Sequence, residues 1–272
     1  MTSVLDVGDA ELAYVESGTG SPVVWLHGSG PGATGMSNFG ANLPAFEDYR
    51  NIVVDLPGWG RSPRPATDEP LIFHAADRVL RAMTALGIDR AHLVGNSYGG
   101  GVAMRIAMTH PDRVDRLVLM APGGVLPADA PPWPIGLEHL FGYMAAAEPS
   151  REDMAQFVRL MVHDETLATD ALIDERYESS LAAHPELSIP PNFGDLTPDL
   201  ARVAAPTLLV WGREDQTVPL TWAPKILEGI PDAELRVLPN CRHWVQYERA
   251  PEFNHIVREF LGGGAAAAAT KE

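Results

Sequence analysis

The sequence predicts a mostly parallel α/β fold carrying a helical insertion, and three observations lead there. Short apolar runs closed by Gly, Pro or Asp alternate with segments of helical periodicity through the first 120 residues, a pattern that builds parallel sheets. A long helical stretch without a strand then interrupts the alternation before it resumes. A Gly-x-Ser-x-Gly stands at one of the strand-to-helix junctions, where such a motif has a structural use.

Leu12 to Glu16, Pro22 to Leu26, Ile52 to Leu56 and His92 to Val94 read as strands, being short and apolar or alternating. Between them, Asn38 to Phe46, Phe73 to Leu86 and Gly99 to Thr109 repeat apolar residues at three and four and read as helices. Arg116 to Met120 is the next strand. After Ala121-Pro122-Gly123-Gly124 come Pro-rich turns and three helical segments, Leu137 to Ala147, Arg151 to Val162 and Thr169 to Ala183. Strands return at Thr207 to Trp211 and Leu235 to Leu238, and Pro251 to Leu261 closes as a helix. The predicted organisation is a core of residues 1–124 and 201–262, a helical lid of residues 125–200 over the sheet's edge, and a low-complexity tail, residues 263–272, expected to be disordered.

The composition fits one globular core: 272 residues, 46% hydrophobic and 21% charged, with 25 Gly and 24 Pro dispersed along the chain. A net charge of −16 repels phosphate backbones and anionic bilayers, so neither nucleic acid nor membrane is an expected partner. An anionic substrate would need a specific cation inside its pocket. The single cysteine, Cys241, permits no internal disulfide and no Cys-rich metal framework. With no basic-then-apolar N-terminal region, a cytoplasmic location is expected and no metal is.

The chemistry concentrates in Gly95-Asn96-Ser97-Tyr98-Gly99-Gly100. Glycines at 95 and 99 remove side chains where strand and helix converge, so Ser97 can occupy a sharp turn with its hydroxyl exposed. A serine hydroxyl needs a base and a group to orient that base. His243 follows the last strand and Asp215 follows the strand before it, giving the chain order Ser, Asp, His. Asp215 is preferred to its neighbour Glu214 and to Asp55, which precedes the serine. The other histidines lack a matching carboxylate loop, and His27 and His110 have structural readings. Cys241 lacks a strand-to-helix elbow and reads as a packed loop thiol. Backbone N–H groups of Tyr98 and of Ser29, in the loop His27-Gly28-Ser29-Gly30-Pro31-Gly32, are the expected oxyanion donors. That loop lacks the Lys-Ser/Thr ending of a phosphate-binding loop.

These residues resemble the α/β-hydrolase fold over nearly the whole chain, and more narrowly the meta-cleavage product hydrolases. The likeness rests on the Gly28 to Gly32 loop with Ser37-Asn38, on Asn96 before the serine, on Leu119 to Gly124, and on His243-Trp244-Val245-Gln246. It implies a mostly parallel eight-stranded sheet flanked by helices with an inserted lid, and a serine-dependent hydrolase of carbon–carbon bonds. The implied substrate is an anionic 2-hydroxy-6-oxo-hexa-2,4-dienoate, tautomerised to a ketone and split into a 2-hydroxypenta-2,4-dienoate and a carboxylic acid. No cofactor is implied, and a homodimer or larger homo-oligomer is.

In Ile173-Asp174-Glu175-Arg176-Tyr177 the resemblance makes Arg176 the cation for the substrate carboxylate. Gly28, Gly30, Asn38, Asn96 and Trp244 are its expected companions in substrate binding. Phe141, Met144, Phe157 and Met161 are candidates for the apolar half of the pocket, although their helical spacing equally suits lid packing. Two departures bear on pocket shape: a short Pro-rich segment at Leu187 to Pro191, and Arg242 where a glycine is common before the histidine. A carboxylesterase or lactonase with the same three residues, or a non-catalytic ligand-binding member of the fold, are the alternative readings.

Overall fold

The computed structural model describes residues 2–8, 11–64, 67–126, 133–182 and 192–269, with side chains as far as Gly262. Eight strands form one sheet: β1 (Thr2–Asp6), β2 (Glu11–Ser17), β3 (Pro22–Leu26), β4 (Arg50–Val54), β5 (Ala91–Asn96), β6 (Val114–Met120), β7 (Thr207–Gly212) and β8 (Ala233–Leu238). Their order is β1-β2-β4-β3-β5-β6-β7-β8. β1 and β2 pair antiparallel, as do β2 and β4, and every later pairing is parallel.

The central strands β3, β5 and β7 are buried at nearly every position and mostly apolar, because both faces are covered. Val23 and Trp25 of β3 pack on one side with Phe39, Phe46, Phe253 and Val257. Val24 and Leu26 point the other way, toward Ile72, Val79, Val102 and Ile106. The same two-residue alternation divides Leu208 and Val210 from Leu209 and Trp211. On the first face lie α1 (Gly35–Phe39), α8 (Val245–Glu248) and α9 (Ala250–Ala269); on the second lie α2 (Leu71–Ala85), α3 (Tyr98–Thr109) and α7 (Ala223–Gly229).

Between β6 and β7 the chain leaves the sheet to form α4 (Ile135–Ala145), α5 (Arg151–Met161) and α6 (Asp170–Ala182). Helix α5 starts at Ser150, whose hydroxyl accepts from the Asp153 amide while the Asp153 carboxylate accepts from the Ser150 amide, a reciprocal cap that fixes the start. These helices share a third core of Leu140, Phe141, Met154, Phe157, Val158, Met161 and Ile173, and Trp244 enters it from the sheet side.

Several elements differ from the sequence reading. β1 was not foreseen, because an edge strand open to solvent shows no alternation of burial. The helix expected over Asn38 to Phe46 is instead α1 followed by a separate 3-10 turn, Leu43–Phe46. Pro44 stands in that turn, lacks an amide hydrogen and clashes with a continuing α-helix. β4 lies two residues before its expected position, and α7 and α8 are too short to show a period. The closing helix runs to Ala269 rather than Leu261, so part of the tail expected to be disordered is helical; five consecutive alanines are strong helix formers. Thr270–Glu272 and the Leu187 to Pro191 segment lie outside the described residues.

Candidate active site

Ser97 stands between β5 and α3 at φ 52°, ψ −116°, a conformation that costs a non-glycine residue about 1–3 kcal/mol and persists only when its surroundings impose it. They do. The Ser97 amide donates to Met120 O at 2.8 Å, and Ser97 O accepts from Gly123 N at 2.8 Å and Gly101 N at 3.0 Å. A Cβ on Gly95 would collide with Gly99 O, and one on Gly99 with Leu26 O. Strand and helix therefore approach closer than any side chain allows, which forces the sharp bend at Ser97.

β5, β6, β7 and β8 are parallel neighbours, so the loops after β5, β7 and β8 emerge at one end of the sheet, where open α/β sheets gather their sites. Asp215 follows β7 and His243 follows β8. Asp215 Oδ2 lies 2.8 Å from His243 Nδ1, and its Oδ1 accepts the amides of Thr217 at 2.8 Å and Val218 at 3.0 Å. Both side chains are buried. A carboxylate so held leaves His243 Nδ1 as a donor and Nε2 as the ring's acceptor. Glu214 turns elsewhere, accepting from the Cys241 amide at 3.1 Å and Arg213 Nε at 2.8 Å. Asp55 accepts the amides of Gly35 at 2.8 Å and Arg61 at 3.2 Å and organises its own loop. Burial pushes the Cys241 thiol pKa up, which keeps it protonated.

The glycine-rich loop lies against the serine. A Cβ built on Gly28 would stand 2.9 Å from Asn96 Oδ1 and 3.3 Å from Ser97 Cβ, and one on Gly30 would meet Phe157 Cζ at 3.1 Å. His27 braces this loop: its Nε2 accepts from the Leu56 amide at 2.9 Å, and its Nδ1 therefore donates to Gly28 O at 2.7 Å. Burial takes the His27 pKa down to about 4, so the ring is neutral and structural. Ser29 is buried in the loop. Tyr98 is the first residue of α3, where helix geometry leaves amide hydrogens without intrahelical acceptors. Asn38 Oδ1 is 3.5 Å from the Gly28 amide.

Lid residues close the other side. Arg176 of α6 is 2% exposed, its guanidinium carbon is 4.6 Å from the centre of the Trp244 ring, and a Cβ on Gly32 would collide with its carbonyl oxygen. Among the described residues its Nε and Nη1 have no hydrogen-bond acceptor. Burial lowers its pKa to about 10. Asn96 Oδ1 is likewise buried without a donor. Phe157 meets Trp244 edge-on at 6.1 Å, and Phe141 packs on Trp133 at 4.9 Å and Phe193 at 6.4 Å. Met161 is buried against Thr217 Oγ1, and Met144 is half-buried. Among the described residues no cluster of His, Cys, Asp and Glu could hold a metal, and no helix is long and apolar enough to cross a membrane.

Two contributors escape sequence reading. Arg242 extends to the lid, donating to Arg159 O at 2.7 Å and Val162 O at 3.0 Å. Glu248 accepts the amides of His163 at 2.6 Å, Asp164 at 2.7 Å and Arg242 at 2.9 Å. Arginine before the histidine was visible as an unusual residue, but its reach depends on where the lid docks. Glu248 carries no local signal at all.

Residues 23–256 match the model of the alpha/beta hydrolase family. The chain is 40% identical to a 2-hydroxy-6-oxo-6-phenylhexa-2,4-dienoate hydrolase of Comamonas testosteroni, over 94% of this chain and 93% of the relative. It is 37% identical to a 2-hydroxy-6-oxononadienedioate/2-hydroxy-6-oxononatrienedioate hydrolase of the same species, over 92% and 90%. A solved meta-cleavage product hydrolase of Pseudomonas fluorescens IP01 superimposes with TM-score 0.86 at 33% identity, covering 97% of this chain and 98% of that one. With this sheet, this elbow and these relatives, the chain belongs to the alpha/beta hydrolase family and, within it, to the meta-cleavage product hydrolases.

Proposed function

We propose that the chain hydrolyses a carbon–carbon bond of a 2-hydroxy-6-oxo-hexa-2,4-dienoate, releasing a 2-hydroxypenta-2,4-dienoate and a carboxylic acid. The observation that carries this reading is Arg176, a buried guanidinium with open hydrogen-bonding positions, stacked on the tryptophan that follows His243. A hydrolase of neutral esters has no use for such a cation. A planar carboxylate fits it bidentately, with Asn38, Asn96 and Trp244 as neighbours for the adjoining 2-oxo group.

In this reading the bound dienol loses its C2 hydroxyl proton and gains one at C5, giving the ketone. His243, oriented by Asp215, takes the proton of Ser97, and Ser97 Oγ, or a water activated by the same pair, adds to the C6 carbonyl. The amides of Ser29 and Tyr98 hold the oxyanion. The C5–C6 bond then breaks, its electron pair passing into the conjugated 2-oxo acid, and water completes release of the carboxylic acid. No cofactor takes part.

The distal substituent on C6 is neutral. A second carboxylate, as in the nonadienedioate of one relative's name, would need a second buried cation. Arg78, the other buried arginine among the described residues, is paired with Asp77. Phe141, Met144, Phe157 and Met161 supply apolar surface instead. A cytoplasmic location, which the lone buried cysteine fits, and a homodimer or larger homo-oligomer complete the reading.

The test is to mix purified protein with coloured dienol ring-fission products and, separately, with p-nitrophenyl esters. Selective bleaching of the dienols is expected. Fast ester turnover with dienols untouched transfers the reading to a carboxylesterase or lactonase, and saturable binding without turnover to a ligand-binding protein.

A further inference from the structure

The turn that carries His243 is fastened to the lid from both sides. Arg242, immediately before it, donates through Nη1 to Arg159 O at 2.7 Å and Val162 O at 3.0 Å. Trp244, immediately after it, donates its amide to Met161 O at 3.1 Å. Glu248, one turn on, accepts from the amides of His163 and Asp164 through Oε1 and from the Arg242 amide through Oε2. All the lid partners belong to one segment, residues 159–164, where α5 ends.

The chemistry of that segment explains the fit. The last carbonyls of an α-helix have no intrahelical donor and gather partial negative charge, which a guanidinium meets well. Beyond the helix end, the free amides of His163 and Asp164 present hydrogens, which a carboxylate meets equally well. The cation is thus matched to the carbonyls at the end of the helix and the anion to the free amides of the turn just beyond it, and Glu248 also holds the backbone of Arg242. Met161 in the same segment touches Thr217, whose amide is bound by Asp215, so the loop of the orienting carboxylate joins the same assembly.

We propose that Arg242 and Glu248 are positioning residues that lock the His243 turn to the end of α5, so that the imidazole is in register for proton transfer only while this part of the lid is docked. The α5 end is then a fixed post, and any opening of the lid for substrate entry belongs to its other helices. The inference rests on His243 serving as the base.

The experiment compares Arg242→Ala, Arg242→Lys and Glu248→Gln with the parent and with His243→Ala, by steady-state kinetics and stopped-flow single turnover on a coloured dienol across pH. Losing charge-assisted hydrogen bonds that orient a proton acceptor is expected to lower kcat about tenfold in Arg242→Ala and Glu248→Gln, with KM within about twofold, the pH–rate limb displaced, and Arg242→Lys retaining most activity. Amide exchange at 159–164 should accelerate in the same two variants. Unchanged kcat and pH profile overturn the inference, as does a rise in KM alone, which would place these residues in binding. If Arg242→Ala does not fold, Arg242→Lys and Glu248→Gln decide by the same criteria. Full activity in His243→Ala would instead remove the catalytic reading beneath the proposal, so the two failures are distinguishable.

Discussion

Replacing Arg176 by methionine should strengthen the empty protein while crippling its handling of substrate. Burial carries the guanidinium from an ordinary pKa of 12.5 to about 10, a displacement equivalent to about 3 kcal/mol of disfavour for the charged form at about 1.36 kcal/mol per unit. Against this stands the stacking on Trp244, worth about 0.5–2 kcal/mol. Methionine fills a comparable apolar stem and introduces no charge, so a net gain on the order of 1–2 kcal/mol is expected in the absence of ligand. In the complex the signs reverse: removing one partner of a desolvated guanidinium–carboxylate pair costs about 2–5 kcal/mol, or about 30- to 5,000-fold in affinity. Urea unfolding gives the first number, and titration of dienol into the Ser97→Ala background with and without Arg176→Met gives the second. A methionine variant that is less stable by more than about 1 kcal/mol, or that binds dienoate as tightly as the parent, would refute the reasoning.

Ser97→Ala itself should bind dienol with near-parental affinity and show no cleavage in single-turnover absorbance traces; residual turnover within about tenfold of the parent would remove the nucleophile. His27 should contribute a pH dependence of stability: the unfolded chain takes its proton near the ordinary histidine value of 6.5 and the folded one near 4, so the folded state binds fewer protons between them and stability falls as pH drops through that window, by about 3 kcal/mol in full. Unfolding midpoints of parent and His27→Gln from pH 7 to 4 should diverge accordingly, and parallel curves would contradict the assignment. Gly99→Ala, whose new Cβ meets Leu26 O, should lose on the order of 2–3 kcal/mol by overpacking and should be inactive; an unaltered melting temperature would mean that the elbow tolerates expansion. Between ring-fission products, kcat/KM should favour a neutral 6-substituent over a 6-carboxyalkyl one by about tenfold or more, since the second carboxylate would be desolvated without a partner.

Much of this architecture was readable from residues because its determinants are local. The strands β3, β5 and β7 announce themselves as short, mostly apolar runs, since each is covered on both faces, and the Gly95 to Gly99 spacing encodes a steric requirement that no other residues satisfy. Asp215 could be preferred to Glu214 only by its place in the chain, and the separate hydrogen-bond partners of the two carboxylates now explain how adjacent acids take different tasks. β1 stayed hidden because it exposes nearly every residue, and α7 because seven residues with a proline near the start give no period to count. The grip of Arg242 and Glu248 on residues 159–164 joins segments about 80 positions apart, and nothing in either stretch reveals the other.

The insertion point of the lid has an evolutionary corollary. The chain departs beyond β6 at Gly124 and returns at Leu196, whose amide donates to Gly124 O at 2.8 Å, so the two stems of the excursion stand side by side. Such a cassette can be lengthened, shortened or exchanged for one with a differently shaped underside while the scaffold keeps every ladder bond. What a transplanted cap must bring with it is a helix terminus able to receive the guanidinium and carboxylate that flank the histidine. Grafts that respect that socket should change which molecules enter, and grafts that ignore it should yield well-folded but sluggish catalysts.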